Sequence, residues 1–470
     1  MSDHDDCLDP SGVPFDDLDP ALLRTRRTSL KWTRFAADVL PLFVAEMDFA
    51  VAPVIRRTLV ERIEASDTGY LDGPGPLAAA FADFCRDRWA WTVPHDHVHL
   101  ATDVATGVVE ALRVLRPEGG RIAVPVPTYP GFFEMLEEVP FDVVEVPLRE
   151  DAAVGNDAGA GPAAVAAGLP AGAIAPARLD LAALEREFAG SGLGTGLASG
   201  TGSGSGSGAG IDALILCNPH NPHGTVHTRD ELAELARLAA RYDVLVVSDE
   251  IHAPLTHAGE TFVPFAPIAA AAGALSVTVT SASKGWNLAG GKCSVIVAAD
   301  ERANEGLKRL PPETVTRASI LGLHANVSAF ADGRDWLDRA IAQIERNDAL
   351  LGELVAEHLP GVRRTKPAAG YLAWLDFRGT ALGERAYERI LDEGRVAFGD
   401  GLHFGGEGAG HVRVNLACAP ATLREAVRRV AAVLRAAEGA PPAQAPPAST
   451  QTSTPVSPVP PTIDSQENPA

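Results

Sequence analysis

The apolar positions of this chain gather into short unbroken runs separated by amphipathic stretches, as expected of buried parallel strands and the helices that cover them. Ala213–Asn218 (ALILCN) is one such run. Thr228 and Glu231 then stand at capping-box spacing, which predicts a helix over Asp230–Tyr242 with Leu232, Leu235, Leu238 and Ala239 on one face. Val244–Asp249 (VLVVSD) is the next apolar run and completes a strand–helix–strand unit. Val277–Ser281 and Ser294–Ala298 repeat the strand signal. Further on, the pattern predicts a long helix from about Asp335 to His358, strands over Tyr371–Phe377 and Val412–Leu416, and a last helix over Ala421–Ala437. The first part reads as an α/β domain on a largely parallel sheet, the second as a smaller α+β domain. Open α/β sheets bind ligands beyond the carboxyl ends of their strands. Asn218, Asp249 and the Ser281–Lys284 turn all fall at such ends.

Three stretches break this pattern. Residues 151–175 are mostly Ala, Gly and Pro, residues 190–210 alternate Gly with Ser and Thr, and the end from about Gly439 to Ala470 is rich in Pro, Ser, Thr and Gln. Such stretches bury too little side chain to offset the entropy of ordering them, so all three are expected to be flexible. The Gly/Ser run has no Gly-Lys-Ser/Thr after it and reads as a linker, not a phosphate loop.

Composition narrows the function. The chain has 470 residues, enough for two or three domains' worth of core and a walled-off site. Its 40 Lys and Arg against 61 Asp and Glu give a net charge of −21, which disfavours nucleic acid as a partner. Cys7, Cys85, Cys217, Cys293 and Cys418 are scattered without a C-x-x-C, so neither a disulfide framework nor a zinc knuckle is expected and a reducing cytosol fits. The acidic start lacks the apolar core of a signal peptide, and no apolar run approaches the length of a bilayer span. The expectation is a soluble cytoplasmic protein with no membrane partner. His95, His97 and His99 alternate, which could set three imidazoles on one strand face as a metal site; with no acidic or Cys partner indicated and Pro94 just before, a solvated strand edge is the reading, and no metal is expected.

The candidate chemistry centres on Ser281-Ala282-Ser283-Lys284, which follows an apolar strand. A lysine at a strand end, flanked by small hydroxyl residues, suits a Schiff-base nucleophile, because burial lowers the amine's pKa and small neighbours leave room for a bulky cofactor. Taken alone, the segment fits a solvated surface lysine better. Asp249 shifts the balance: it ends an apolar strand, where an unpaired carboxylate would cost several kcal/mol, so it calls for a cationic partner such as a protonated pyridine nitrogen.

At this point the chain resembles the fold-type-I pyridoxal-phosphate (PLP) enzymes of the class I/II aminotransferase superfamily, and within it the MalY/PatB group of cystathionine β-lyases. The resemblance rests on Asn218-Pro-His-Asn-Pro-His-Gly224, Ser248-Asp-Glu-Ile-His-Ala253, and Ser281-Ala-Ser-Lys284 with Asn287 and Ala289-Gly290. Leu30-Lys31-Trp32, Pro41-Leu-Phe-Val-Ala-Glu-Met-Asp-Phe49 and Thr68-Gly69-Tyr70 extend it upstream. It implies an α/β fold: a large PLP-binding domain over 51–309 with a mostly parallel seven-stranded sheet flanked by helices, and a smaller α+β domain over 310–438. It also implies an N-terminal segment, 1–50, packing with the small domain, and a tail over 439–470.

Site roles follow from the resemblance. Lys284 would bind the cofactor aldehyde and then shuttle the Cα proton, Asp249 would pair with the ring nitrogen, and Asn221 would hydrogen-bond the ring hydroxyl. Tyr129 would stack on the ring. Gly107 and Val108 would offer backbone amides to the phosphate, with Ser281 adding a hydroxyl. Tyr70 would reach the phosphate in the neighbouring subunit, implying a homodimer with shared sites. Arg413 would clamp the substrate carboxylate. His252 stands where many aminotransferases carry tyrosine, in agreement with the lyase group. Lys292 takes the place of a phosphate-binding arginine and keeps its charge without the bidentate grip, and Trp286 replaces a usual phenylalanine. The implied activity is cleavage of L-cystathionine or related cysteine S-conjugates to a thiol, pyruvate and ammonia, with a place in methionine biosynthesis. The alternatives are an aminotransferase using the same residues and a non-catalytic PLP-fold binding or regulatory protein.

Overall fold

Two sheets and one short strand pair organise the chain. In chain order the strands are β1 (Leu40–Pro41), β2 (Val98–Ala101), β3 (Gly120–Val126), β4 (Phe141–Pro147), β5 (Ala173–Ile174), β6 (Ala213–Cys217), β7 (Leu245–Asp249), β8 (Ser276–Thr280), β9 (Ser294–Ala298), β10 (Arg363–Thr365), β11 (Leu372–Asp376), β12 (Val396–Ala397), β13 (Gly399–Asp400) and β14 (His411–Asn415). The structure, a computed structural model, describes residues 15, 18–149, 173–174, 176–190, 210–406 and 408–439. Most of the first two stretches expected to be flexible, and the tail from 440 on, lie outside the described residues.

The seven-stranded sheet runs β2-β9-β8-β7-β6-β3-β4, and β9 alone is antiparallel to its neighbours. All residues of β6 and β7 are buried, because helices cover both faces. Alternation decides which face each side chain enters. Ile215 and Val247 pack with Val108 and Leu112 on one side. Leu214, Leu216 and Val246 pack with Leu232 and Leu235 on the other. The Leu232 face belongs to the helix Arg229–Tyr242, whose Thr228–Glu231 capping box forms as the spacing predicts.

The smaller sheet runs β13-β14-β11-β10-β5, with the helices Arg334–His358 and Pro420–Glu438 packed together beside it. Strand β5 comes from the end of the 151–175 stretch, which was expected to stay outside any packed element. Its Ala173 and Ile174 pair in parallel with Arg364 and Thr365. An open strand edge offers backbone N–H and C=O groups that any non-proline backbone can meet, so composition gave no warning. The N-terminal segment joins this half of the molecule: β1 pairs with β12, and the Asp48 amide donates to Ala417 O at 2.8 Å.

The three alternating histidines do not share a strand face. After Pro94, His95–His97 form a 3-10 turn and β2 starts only at Val98. His99 meets Asn304 Oδ1 at 2.8 Å and His97 meets Ala298 O at 3.2 Å. Among the described residues no group of His, Cys, Asp or Glu is placed to hold a metal, and no helix is long and apolar enough to cross a membrane.

Candidate active site

Strands β6, β7 and β8 end level, with Cys217 opposite Asp249 and Asp249 opposite Val279. The loops leaving them therefore open on one edge of the sheet, around a cavity of about 210 Å³. Asp249, Asn221, His252, Ser281, Lys284 and Tyr129 line it. The sequence had spread these residues from Tyr129 to Lys284, about a third of the chain.

Two adjacent acids divide the work at the floor. Glu250 Oε1 accepts from Ser248 Oγ at 2.9 Å, Phe265 N at 2.9 Å and Asn218 Nδ2 at 3.3 Å, so it pins the strand ends together. Asp249 accepts from Ile251 N at 3.0 Å and faces the cavity. Burial pushes its carboxyl up to about 6, against that hydrogen bond and the charge of Lys284. Burial and then the nearby Arg413 charge pull the Lys284 amine down to about 8, opposed by Asp249 and Glu46. The amine donates to Ala45 O at 2.9 Å.

Asn221 sits in the tight turn after Asn218, where its amide donates to Cys217 Sγ at 3.4 Å. The turn closes on Gly224, at φ 67°, where a Cβ would lie 2.4 Å from Pro367 Cβ. Asn221 Oδ1 accepts from Arg413 Nη1 at 3.0 Å. Arg413 is buried on β14, donates to Phe43 O at 3.2 Å, and lies over the Phe404 ring at 4.9 Å. Tyr129 leans over the cavity mouth. Glycine at 131 makes room for it, since a Cβ there would come within 2.5 Å of the Tyr129 ring. His252 is buried against the cavity, with Nδ1 lacking a hydrogen-bond partner.

The phosphate-end expectation needs correcting. Gly107 and Val108 are one turn inside their helix, which begins at Val104 with Asp103 as its cap. The Gly107 amide is spent on Asp103 O at 2.9 Å, and Val108 is fully buried. Gly107 serves packing instead, for a Cβ there would sit 2.6 Å from Val279 Cγ1. Val104 and Ala105 line the cavity in their place, at the end where backbone N–H groups of a helix lack partners. The N-cap rule applied to Asp103 would have found this start. Lys292 also reaches this end, where its Nζ donates to Asp103 Oδ2 at 2.7 Å. Ser281 Oγ donates to Ser283 Oγ at 2.7 Å. Tyr70 does not join the cavity: it is 91% exposed.

A wall that sequence reasoning left without a role closes the far side. Each backbone carbonyl from Phe43 to Phe49 accepts from a side chain. Arg413 reaches Phe43, Asn415 reaches Val44 and Glu46, Lys284 and Tyr371 reach Ala45, and Arg27 and Asn287 reach Met47 and Phe49. Asp48 O takes Arg27, and beneath it the buried Lys31 pairs with the Asp48 carboxylate.

These groups fit pyridoxal phosphate on four independent counts. A buried carboxylate awaits a cation, a depressed amine awaits an aldehyde, and a helix N-terminus with Lys292 awaits an anion. Buried nitrogens on His252 and Arg413 (Nδ1 and Nε) lack hydrogen-bond partners.

Comparison with known proteins agrees. A protein named "Putative cystathionine beta-lyase" from Mycobacterium tuberculosis is 38% identical over 438 residues, covering 89% of this chain and 97% of its own. The cystathionine beta-lyase of Corynebacterium glutamicum is 34% identical over 414 residues, covering 88% and 98%. The crystal structure of a "putative plp-dependent beta-cystathionase" from Corynebacterium diphtheriae superposes with a TM-score of 0.75 at 31% identity, covering 89% of this chain and 98% of that one. The family profile described as aminotransferase class I and II matches residues 37–430, and the chain belongs to that family.

Proposed function

We propose that this protein is a PLP-dependent carbon–sulfur β-lyase, cleaving L-cystathionine or related cysteine S-conjugates to a thiol, pyruvate and ammonia. The observation that carries it is the pairing, in one buried cavity, of an amine pulled down to about 8 with a carboxyl pushed up to about 6. Chain-long likeness to proteins named for this reaction favours elimination over transamination, as does His252 in the position where many aminotransferases carry tyrosine.

When bound, the cofactor supplies an aldehyde for the substrate amine and a ring that accepts the electrons released at Cα. The protein supplies the rest. Arg413 orients the substrate through its carboxylate. Lys284 Nζ takes the Cα proton, and its lowered pKa leaves a useful neutral fraction near neutral pH. Asp249 would keep a proton on the ring nitrogen, and Asn221 would hold the ring hydroxyl. Tyr129 would stack on the ring. Val104 and Ala105 amides, Ser281 and Lys292 would hold the phosphate. Loss of the Cα proton drives the Cβ–S bond to break, and water converts the remainder to pyruvate and ammonia.

Tyr70 is exposed, as are the apolar side chains of Leu30, Val60 and Ile63, which supports a homodimer in which Tyr70 completes the partner's phosphate site. The reading extends to a cytoplasmic enzyme serving methionine biosynthesis, with its large domain over 51–309, its small domain over 310–438 and the 1–50 segment packed on the latter. The test is release of pyruvate and free thiol from L-cystathionine by PLP-loaded protein, with and without an added 2-keto acid. Both products appearing without keto acid is expected. Turnover that requires keto acid would make it an aminotransferase.

A further inference from the structure

The Lys284 amine and the Tyr371 hydroxyl donate to the same acceptor, Ala45 O, each at 2.9 Å. A carbonyl oxygen has two lone pairs and accommodates both donors. Tyr371 is 1% exposed, and its backbone is pinned on both sides. Gly370 N donates to Leu255 O at 3.0 Å, and Tyr371 O accepts from Leu416 N at 2.7 Å. Burial drives the phenol's ionisation upward, so it stays a donor. Carbonyls on either side of Ala45 are held by other groups: Asn415 for Val44, and Asn415 with Lys31 for Glu46.

We propose that Tyr371 is a positioning residue for Lys284, fixing the Ala45 carbonyl that in turn aims the lysine amine. The inference rests on the PLP reading given above. A lysine amine at the end of a four-carbon stem samples many orientations unless an acceptor holds one of its N–H bonds. Ala45 O supplies that acceptor, and the lone pair of the amine is then directed into the cavity. The acceptor must stay put while the amine comes and goes. Once Lys284 is engaged elsewhere, a carbonyl without Tyr371 would be a buried acceptor lacking a partner, free to turn away. With the hydroxyl in place it keeps a donor and its direction, so the released amine returns to the same geometry. The effect reaches both jobs of Lys284: condensing with an aldehyde and moving the Cα proton.

The test is Tyr371→Phe in the full chain, which removes one oxygen and keeps the ring. Two rates are measured. The first is growth of the visible band when pyridoxal phosphate is added to cofactor-free protein. The second is exchange of the α-proton of L-alanine in D2O, followed by NMR on the loaded protein; alanine has no leaving group, so this readout is independent of C–S cleavage. Both rates should fall roughly tenfold, the scale on which small misplacement of a reacting group acts. Band position, cofactor stoichiometry, the KM for alanine and the melting temperature should match wild type. Wild-type rates in the variant overturn the proposal, and so do slow rates accompanied by a lower melting temperature and poor cofactor retention, which would make the hydroxyl structural. A wild-type protein that forms no band with the cofactor overturns the PLP reading and this inference together, whereas a normal band in both proteins with equal rates overturns this inference alone.

Discussion

The floor and the wall of the cavity are built by different means. Asn218, Asp249 and Ser281 leave three adjacent strands whose ladders set them level, so their placement is shared among many backbone hydrogen bonds. The wall over Phe43–Phe49 has no such ladder above it. Its carbonyls are held by side chains of Arg27, Lys31, Lys284, Asn287, Tyr371, Arg413 and Asn415, two of them meeting at Ala45, Glu46, Met47 and Phe49. A ladder spreads the loss of any one contact over many bonds, whereas a carbonyl with one cap, such as Phe43 or Asp48, is left a bare buried acceptor when that cap goes, at about 1–3 kcal/mol. Changes in the floor should thus read out in chemistry, and changes in the wall in stability and placement, except at Ala45, where Lys284 and Tyr371 share one acceptor and loss of the Tyr371 hydroxyl reads out in placement alone.

The comparison is tested hardest at Lys284. Lys284→Ala should lower product formation by on the order of 10⁴-fold or more and abolish the visible band of bound cofactor. A variant still yellow after dialysis would remove the lysine from the floor's chemistry. Next is the wall's own buried pair: Lys31→Met leaves Asp48 without its cation and should cost about 3–5 kcal/mol in urea unfolding. An unchanged midpoint would mean that the wall does not depend on individual caps. Asp249→Ala should lower turnover by roughly 10²–10³-fold and let the cofactor dialyse away, with little change in the melting temperature of the cofactor-free protein. A variant as active as wild type would break the pairing with the ring nitrogen.

The smallest effect is in pH. Only the neutral amine condenses with an aldehyde, so cofactor capture should accelerate as pH rises toward about 8 and level off above it. Affinity should weaken below about 6, where the Asp249 carboxyl takes up a proton. A capture rate flat from pH 6 to 9, followed by stopped-flow absorbance, would show that the amine is not held near 8.

The floor was legible because its signals are side chains in apolar runs. Val244–Asp249 was expected as a strand and Leu245–Asp249 is one; the Thr228–Glu231 box starts its helix as its spacing requires. The start of the helix was misplaced by one turn, since a glycine inside a helix looks like a glycine at its start until the Asp103 cap is counted. The wall was not legible as a site. Ala45 acts through its backbone carbonyl, and a carbonyl is the same in every residue. Tyr371 lies at the edge of an apolar strand, where a buried tyrosine needs no special account. The parallel pairing of Ala173–Ile174 likewise uses backbone alone.

The capped strap also sets an order on the birth of the molecule. Ala45 meets Lys284 across 239 residues and Tyr371 across 326, and Phe43 meets Arg413 across 370. At about 5–20 residues per second on the ribosome, the strap waits tens of seconds for its last caps. The carbonyls of Phe43, Val44 and Ala45 lack these donors for that time, while the strand ends of the sheet already have their neighbours. The reactive lysine is therefore made long before the wall around it can close, and the finished cavity waits for Arg413 and Asn415.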